Sequence, residues 1–348
     1  MATDSLSDIL KTVRISGSVF YDVTARAPWV VEQLSSQAVV QMALPGADHI
    51  IAYHIVTDGR CFASMIGADT PVELRAGQVI VFTRADPHTL SSSPGVGGEL
   101  GPSDVLAGAS TEQQPFSIKM GNEVPVTARL TCGFLAYNGS PFNPLLDNLP
   151  PMLIADCSRD GDMPWLGELI SLALREARNR RTGSESVLNR LTELMLIEVI
   201  RQYLDRLSPK PEGWLAGFMD PLVGRALSLM HECPKCEWGL AKLSQEVGLS
   251  RSEFAKRFAC LVGDPPMQYL AKWRMQVATA LLNDNVKIAT VATEVGYSSD
   301  SSFSRAFKKM VGVPPSLWRV RREEIAARTA DEQDWRSVSY SERTPLTA

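Results

Sequence analysis

The chain has 348 residues, 45% hydrophobic and 21% charged, enough for two domains and unlike collagen-like, coiled-coil or disordered chains. No run approaches the roughly 18 apolar residues of a membrane span, and the start MATDSLSDILKTVR lacks a signal peptide's apolar run, so a cytoplasmic location and no membrane partner are expected. The net charge of −4 is uneven: residues 1–219 hold 17 basic and 24 acidic residues, whereas 220–322 hold 15 basic and 9 acidic. That basic third is a candidate for a polyanionic partner. Six cysteines, at 61, 132, 157, 233, 236 and 260, are too sparse for a disulfide framework and are expected as reduced thiols.

Residues 1–160 carry short β-rich runs, among them Ile50 to Val56, Cys61 to Met65, Val79 to Phe82 and Val126 to Leu135. Many short strands without intervening helices predict a sandwich or barrel. Thr57-Asp58-Gly59 reads as a hairpin turn, which would bring Cys61 back opposite His54, with His88 ending a neighbouring strand. Imidazole and thiol ligands suit zinc, and the same cluster would support a reactive Cys61 thiolate; the plainer alternative is three satisfied side chains near a barrel mouth. The Ser, Gly and Pro-rich stretch 91–115 reads as a flexible loop, either a lid or a surface insertion.

Helical periodicity returns from Trp165 to about Asn179, breaks at Arg181-Thr182-Gly183 and resumes from Ser184. Leu188, Leu191, Met195 and Val199 form a stripe, so 161–208 is an αα-hairpin whose apolar face makes a dimer seam or packs on the barrel. Ser208 to Gly213 has linker composition, and 209–219 is expected to join two domains. Cys233-Pro-Lys-Cys236 then precedes the next helix. It is either a redox or metal switch or an exposed loop with two thiols.

The basic third repeats itself. Gly248, Phe254, Phe258, Gly263, Pro265 and Pro266 are answered by Gly296, Phe303, Phe307, Gly312, Pro314 and Pro315, with Tyr269 and Trp318 continuing the match. Each copy reads as a helix-turn-helix. Leu240, Leu243 and Val247, or Ile288, Val291 and Val295, stripe a first helix; a glycine ends it; Ser250, or the run Ser298 to Ser302, opens the second. Residues 265–283 connect the copies as one helix, and 323–348 form a flexible tail. With the phenylalanines inward, Ser252 and Lys256 face out from one second helix and Ser301, Arg305 and Lys308 from the other, groups suited to a major groove. Lys308, Lys309, Arg319, Arg321 and Arg322 are candidate phosphate contacts, while Arg274, on an apolar helix, is expected in a structural ion pair.

The run from Gly248 to Leu282, followed by IATVATEVGYSSDSSFSRAFKKMVGVPPSLWR, closely resembles the DNA-binding domain of AraC/XylS-type bacterial transcription regulators. The resemblance implies two recognition helices in successive major grooves of promoter DNA. It supports Ser252, Lys256, Ser301 and Arg305 by position, with Arg251, Asp300 and Ser302 flanking them. His54 to His88 and 131–153 resemble the cupin sensor domain of the same family, without its HxH metal pair. The expectation is therefore an α+β multidomain regulator: a cupin-like β-barrel plus helical hairpin, then an all-α domain with two helix-turn-helix motifs. It would form a homodimer, respond to an unknown small-molecule effector or a redox signal, and meet RNA polymerase if it activates. No resident cofactor is expected, zinc being the one the thiols would suit. A metal-dependent cupin enzyme with an accessory helical domain is the rival.

Overall fold

A computed structural model describes residues 15–33, 47, 49–67, 70–95, 116–121, 125–137, 143–157, 165–179, 181–207, 214–321 and 324. Most of the 91–115 loop, positions 208–213, Arg322 and nearly all of the 323–348 tail lie outside them. The chain divides into two compact units, one of Val13–Asn138 with Leu149–Lys210, the other mainly of Pro211–Ala348.

The first unit is a curled sheet closed over an apolar core. Its strands are β1 (Ile15–Ala25), β2 (Val30–Gln33), β3 (His49–Met65), β4 (Val72–Arg75), β5 (Gln78–Phe82), β6 (His88–Ser91), β7 (Phe116–Met120), β8 (Ala128–Tyr137) and β9 (Met152–Asp156). The path runs β2-β6-β3-β8-β1-β7, with β4 and β5 on β3, and β9 on β5. Every described pairing is antiparallel except β1 with β7.

Strand β3 corrects the expected hairpin. Thr57-Asp58-Gly59 does not reverse the chain; the strand runs on to Met65, pairing first with β8 and β5 and then with β4 and β6. The register against β8 shifts between Val56 and Asp58, and Gly59 takes φ +73° where a Cβ would meet the Thr127 carbonyl at 2.1 Å. The turn-like tripeptide is thus a bulge that bends one long strand round the barrel.

Helices α1 (Trp165–Asn179) and α2 (Ser184–Asp205) form the expected hairpin. Leu188, Leu191, Met195 and Val199 are buried, and polar bonds staple the hairpin to the sheet. Ser18 donates to Asn189 at 2.9 Å, Gln202 exchanges bonds with the Asp156 backbone, and Arg178 meets Asp22 at 2.8 Å. The stripe therefore packs on the barrel.

The second unit is helical: α3 (Trp214–Met219), α4 (Pro221–Glu232), α5 (Leu240–Glu246), α6 (Arg251–Val262), α7 (Pro266–Asn283), α8 (Ile288–Glu294) and α9 (Asp300–Val311). Part of the expected 209–219 linker is thus helix α3, held because Trp214 and Leu215 are buried. The repeat in sequence is a repeat in space. Phe254–Phe258 and Phe303–Phe307 centroids lie 5.6 and 5.5 Å apart, and Phe258–Tyr269 and Phe307–Trp318 meet edge-on at 5.8 and 6.1 Å.

Candidate functional site

Each helix-turn-helix is assembled by the same local devices. Gly248 (φ +70°) and Gly296 (φ +79°) end the first helices in the left-handed region. The Ser250 hydroxyl then accepts the Glu253 N–H at 3.3 Å, and the Ser299 hydroxyl accepts the Ser302 N–H at 3.2 Å, capping α6 and α9. Phe254 and Phe258, like Phe303 and Phe307, are wholly buried. The anchored faces leave the opposite sides of both helices to solvent.

Arg251, Ser252 and Lys256 are exposed on α6, and Asp300, Ser301, Arg305, Lys308 and Lys309 are exposed on α9. Ser302 differs: it is half-buried, and its hydroxyl donates to the Ser299 carbonyl at 2.8 Å, so it is engaged in the cap. Arg305 Nε donates to the Ser301 carbonyl at 3.2 Å, which lays the guanidinium along the helix face. Arg319, expected to meet phosphate, is half-buried and donates to the Val286 carbonyl, because the chain before α8 leaves that carbonyl outside a helix. Arg321 is exposed.

Two structural cations organise this unit. Arg257 on α6 meets Asp220 at 2.5 Å, and the same carboxylate caps α4 by accepting the Leu222 and Val223 N–H groups. Burial alone would raise the Asp220 carboxyl; the Arg257 bonds and the two backbone donors hold it below the usual aspartate range. Arg274 corrects the expected ion pair: its described hydrogen-bond partners are backbone carbonyls, Pro234 at 2.8 Å, Cys236 at 2.9 Å and Gly296 at 3.5 Å. Neither the Asp220–Arg257 pair nor this carbonyl cluster was visible in the sequence, since both depend on the helix packing.

In the barrel, His54 on β3 and His88 on β6 meet Nε2 to Nε2 at 2.8 Å, and His88 Nδ1 lies 2.7 Å from the Asp86 carbonyl. A carbonyl only accepts, so His88 carries its proton on Nδ1 and presents a bare Nε2 to the Nε2–H of His54. Both rings are neutral: burial lowers His88 to about 4, and burial with the neighbouring His88 lowers His54 well below the usual value. Two nitrogens on one tetrahedral zinc at about 2.0–2.1 Å each would stand about 3.3 Å apart, wider than this direct bond.

Cys61 does not join them. It lies further along the same strand in register with Leu74, and burial pushes its thiol up to about 12, against both the zinc set and the reactive thiolate. The thiol directly across from His54 is Cys132, missed because the expected hairpin concealed the β3–β8 register. Among the described residues, no three His, Cys, Asp or Glu side chains converge as metal ligands.

His54 and Cys132 line a mainly apolar pocket that opens to solvent, its walls including Tyr21, Trp29, Leu130 and Phe134. Among the described residues, Trp29 Nε1, a donor, and His54 Nδ1, an acceptor in the tautomer deduced above, are buried polar atoms of the lining without a hydrogen-bond partner.

Cys233 and Cys236 are joined by a disulfide, with Cα atoms 5.4 Å apart, correcting the expectation that all six thiols are reduced. A CxxC spacing already allows that approach. Among the described residues, no helix is long and apolar enough to cross a membrane.

A family model described as Cupin matches residues 4–205, and one described as Helix-turn-helix domain matches 243–321. A Streptomyces lividans protein named as an AraC-like transcription regulator is 30% identical over 320 residues, covering 91% of this chain and 98% of the relative. The HTH-type transcriptional regulator MtrA of Neisseria gonorrhoeae is 26% identical over 321 residues, covering 91% and 98%. Among solved structures, the DNA-binding domain of AdpA in complex with a target DNA shares 25% identity over 29% of this chain and 92% of that one, with a TM-score of 0.28.

Proposed function

The chain belongs to the AraC-like transcription regulators, and we propose that it reads promoter DNA with two helices at once, under control of a small molecule held in its cupin unit. The observation that carries this reading is the duplicated, identically capped helix-turn-helix with a polar and cationic outer face on each second helix. The 18-residue α7 connecting them spans about 27 Å at 1.5 Å per residue, on the scale of the ~34 Å between successive major grooves.

Lys256 and Arg305 are the long base-reading side chains in this proposal, Ser252 and Ser301 the short ones, with Arg251 and Asp300 flanking. Lys308, Lys309 and Arg321 serve phosphate. Ser302 acts through the cap. RNA polymerase becomes a partner where the protein activates, and the site of action is the cytoplasm.

The effector is a largely apolar molecule with at least one polar group, given a mainly apolar pocket that offers a Trp29 donor and a His54 acceptor. Homodimerisation is supported by Leu172, Val187 and Leu194, which stand 43%, 44% and 44% exposed on α1 and α2 while the inner stripe is buried. The similarity to transcription regulators over 91% of the chain supports regulation over metal-dependent enzyme chemistry.

The testing experiment selects duplexes from a random library with full-length protein and compares Arg305→Ala on the recovered site. The reading requires selective binding at moderate salt that the variant weakens. Unselective binding, or an unaffected variant, would refute it. Native mass spectrometry of protein purified from its own host tests the effector: excess mass removed by denaturation is expected, and a clean polypeptide mass counts against a resident ligand.

A further inference from the structure

We propose that Cys233 and Cys236 are a thiol–disulfide modification site that couples the two DNA-reading units to each other. The proposal rests on the reading that both helix-turn-helix units bind DNA. The pair lies in the first four residues of the seven-residue loop after α4, both half-buried and so within reach of small reagents.

That loop touches both reading units. On one side, Cys233 O accepts the Trp238 indole N–H at 2.9 Å just before α5, and the Lys242 ammonium of α5 stands 4.6 Å from that ring. On the other, Lys235 meets Glu294 of α8 at 3.2 Å. Arg274 closes the connection, its guanidinium donating to Pro234 and Cys236 of the loop and reaching Gly296 in the turn of the second unit. The fit there is close: a Cβ at Gly296 would stand 2.8 Å from Arg274 Nη2 and 3.0 Å from Lys235 Cα.

Carbonyls aim where the loop holds them. With the bond in place, the 233–236 backbone is fixed and its carbonyls stay on Arg274 and Trp238. With the bond broken, Pro234 and Lys235 are free to move, and the joint between the units loosens. The disulfide form is therefore the one with the two reading helices pre-organised.

The chemistry is a two-electron oxidation by a hydroperoxide. One thiolate attacks the peroxide oxygen, forming a sulfenic acid and releasing hydroxide or alkoxide. The second thiolate displaces hydroxide from that sulfur, forming the S–S bond, and the expelled oxygens leave as water or alcohol with the protons of the two thiols. A dithiol reverses it through a mixed disulfide. The other thiols compete poorly: burial pushes Cys61 and Cys157 to about 12 and Cys132 higher still. Cys260 is exposed on α6 and is replaced in the test.

Full-length Cys260→Ser protein is treated with hydrogen peroxide or dithiothreitol, and the loss of two hydrogens is checked by intact mass. Fluorescence anisotropy then measures affinity for a duplex obtained by random-library selection with each form. The disulfide form should bind about tenfold tighter, the size of an ordinary coupling between sites. Cys233→Ser/Cys236→Ser should abolish the response, and Arg274→Lys should abolish it while still forming the bond. Equal affinity of the two forms, tighter binding by the dithiol, or an unchanged response in the double variant would overturn the proposal and leave DNA reading standing. If neither form recovers a selective duplex, DNA reading fails and the coupling falls with it. Because the first comparison toggles one protein chemically, it does not depend on the Cys233→Ser/Cys236→Ser variant folding.

Discussion

The His54 and His88 imidazoles share one proton along a 2.8 Å Nε2–Nε2 bond, and the chain of donors ends at the Asp86 carbonyl. Protonating either ring would place a cation in a buried site, and protonating His88 at Nε2 would also remove the acceptor the bond needs. The unfolded chain, with histidines near 6.5, therefore takes up protons before the folded one. Stability of the first unit is fully present above about pH 6.5 and falls as pH drops toward the folded His88 value of about 4. Urea melts between pH 7 and 5, above most carboxylate titrations, should show this loss. His88→Gln should be less stable at pH 7 but flatter with pH; a wild-type midpoint unchanged across that range would contradict the neutral pair.

Asp220 carries two roles on one carboxylate, capping α4 and holding Arg257 of α6. Asp220→Ala should cost about 1–2 kcal/mol, chiefly the lost cap, while Arg257→Ala should cost less because the Arg257 end of the pair is exposed and the carboxylate keeps its two backbone donors. Since the Asp220 carboxyl is held low, its contribution is present above the usual aspartate value and disappears as pH falls through the folded one. Chemical denaturation at pH 7 compares the two variants, and a larger loss from Arg257→Ala would overturn the assignment.

A methyl group at Gly296 would push the Arg274 guanidinium aside and would sit on a backbone that L side chains rarely adopt. At φ +79° and with Arg274 Nη2 2.8 Å from a would-be Cβ, Gly296→Ala should destabilise the second unit by about 1–3 kcal/mol. Gly248 has a similar φ but nothing within 4 Å, so Gly248→Ala should cost less. Thermal melts of both variants decide, and equal losses would assign the whole effect to φ and none to the contact.

Base-reading and phosphate-contacting cations should separate by salt and sequence dependence. Arg305→Ala should cost about 1–3 kcal/mol on the selected site and relax preference at its base pair. Lys308→Ala should weaken all duplexes alike and lower the salt slope by about 1. Anisotropy titrations at several salt concentrations on specific and scrambled duplexes test both, and a uniform loss from Arg305→Ala would place it on phosphate.

The helical unit was legible in sequence because its information is local and duplicated. Gly248, Ser250, Phe254 and Phe258 announce a turn, a cap and a buried face within 11 residues, and the copy near 49 residues on repeats them. The barrel was legible as a class but not in register. Thr57-Asp58-Gly59 carries the composition of a reversal, and only the β3–β8 pairing tells a bulge from a turn. That one difference moved Cys61 away from His54 and put Cys132 in its place. The Arg274 carbonyl cluster was illegible for a related reason, since backbone acceptors leave no mark in side-chain sequence.

Hydroxyl-radical footprinting of the full-length protein on its selected duplex tests the central claim most directly. Two protected segments about one helical turn apart are expected, with Lys256→Ala clearing one and Arg305→Ala clearing the other. A single protected segment, or one erased equally by both variants, would contradict reading by two helices at once.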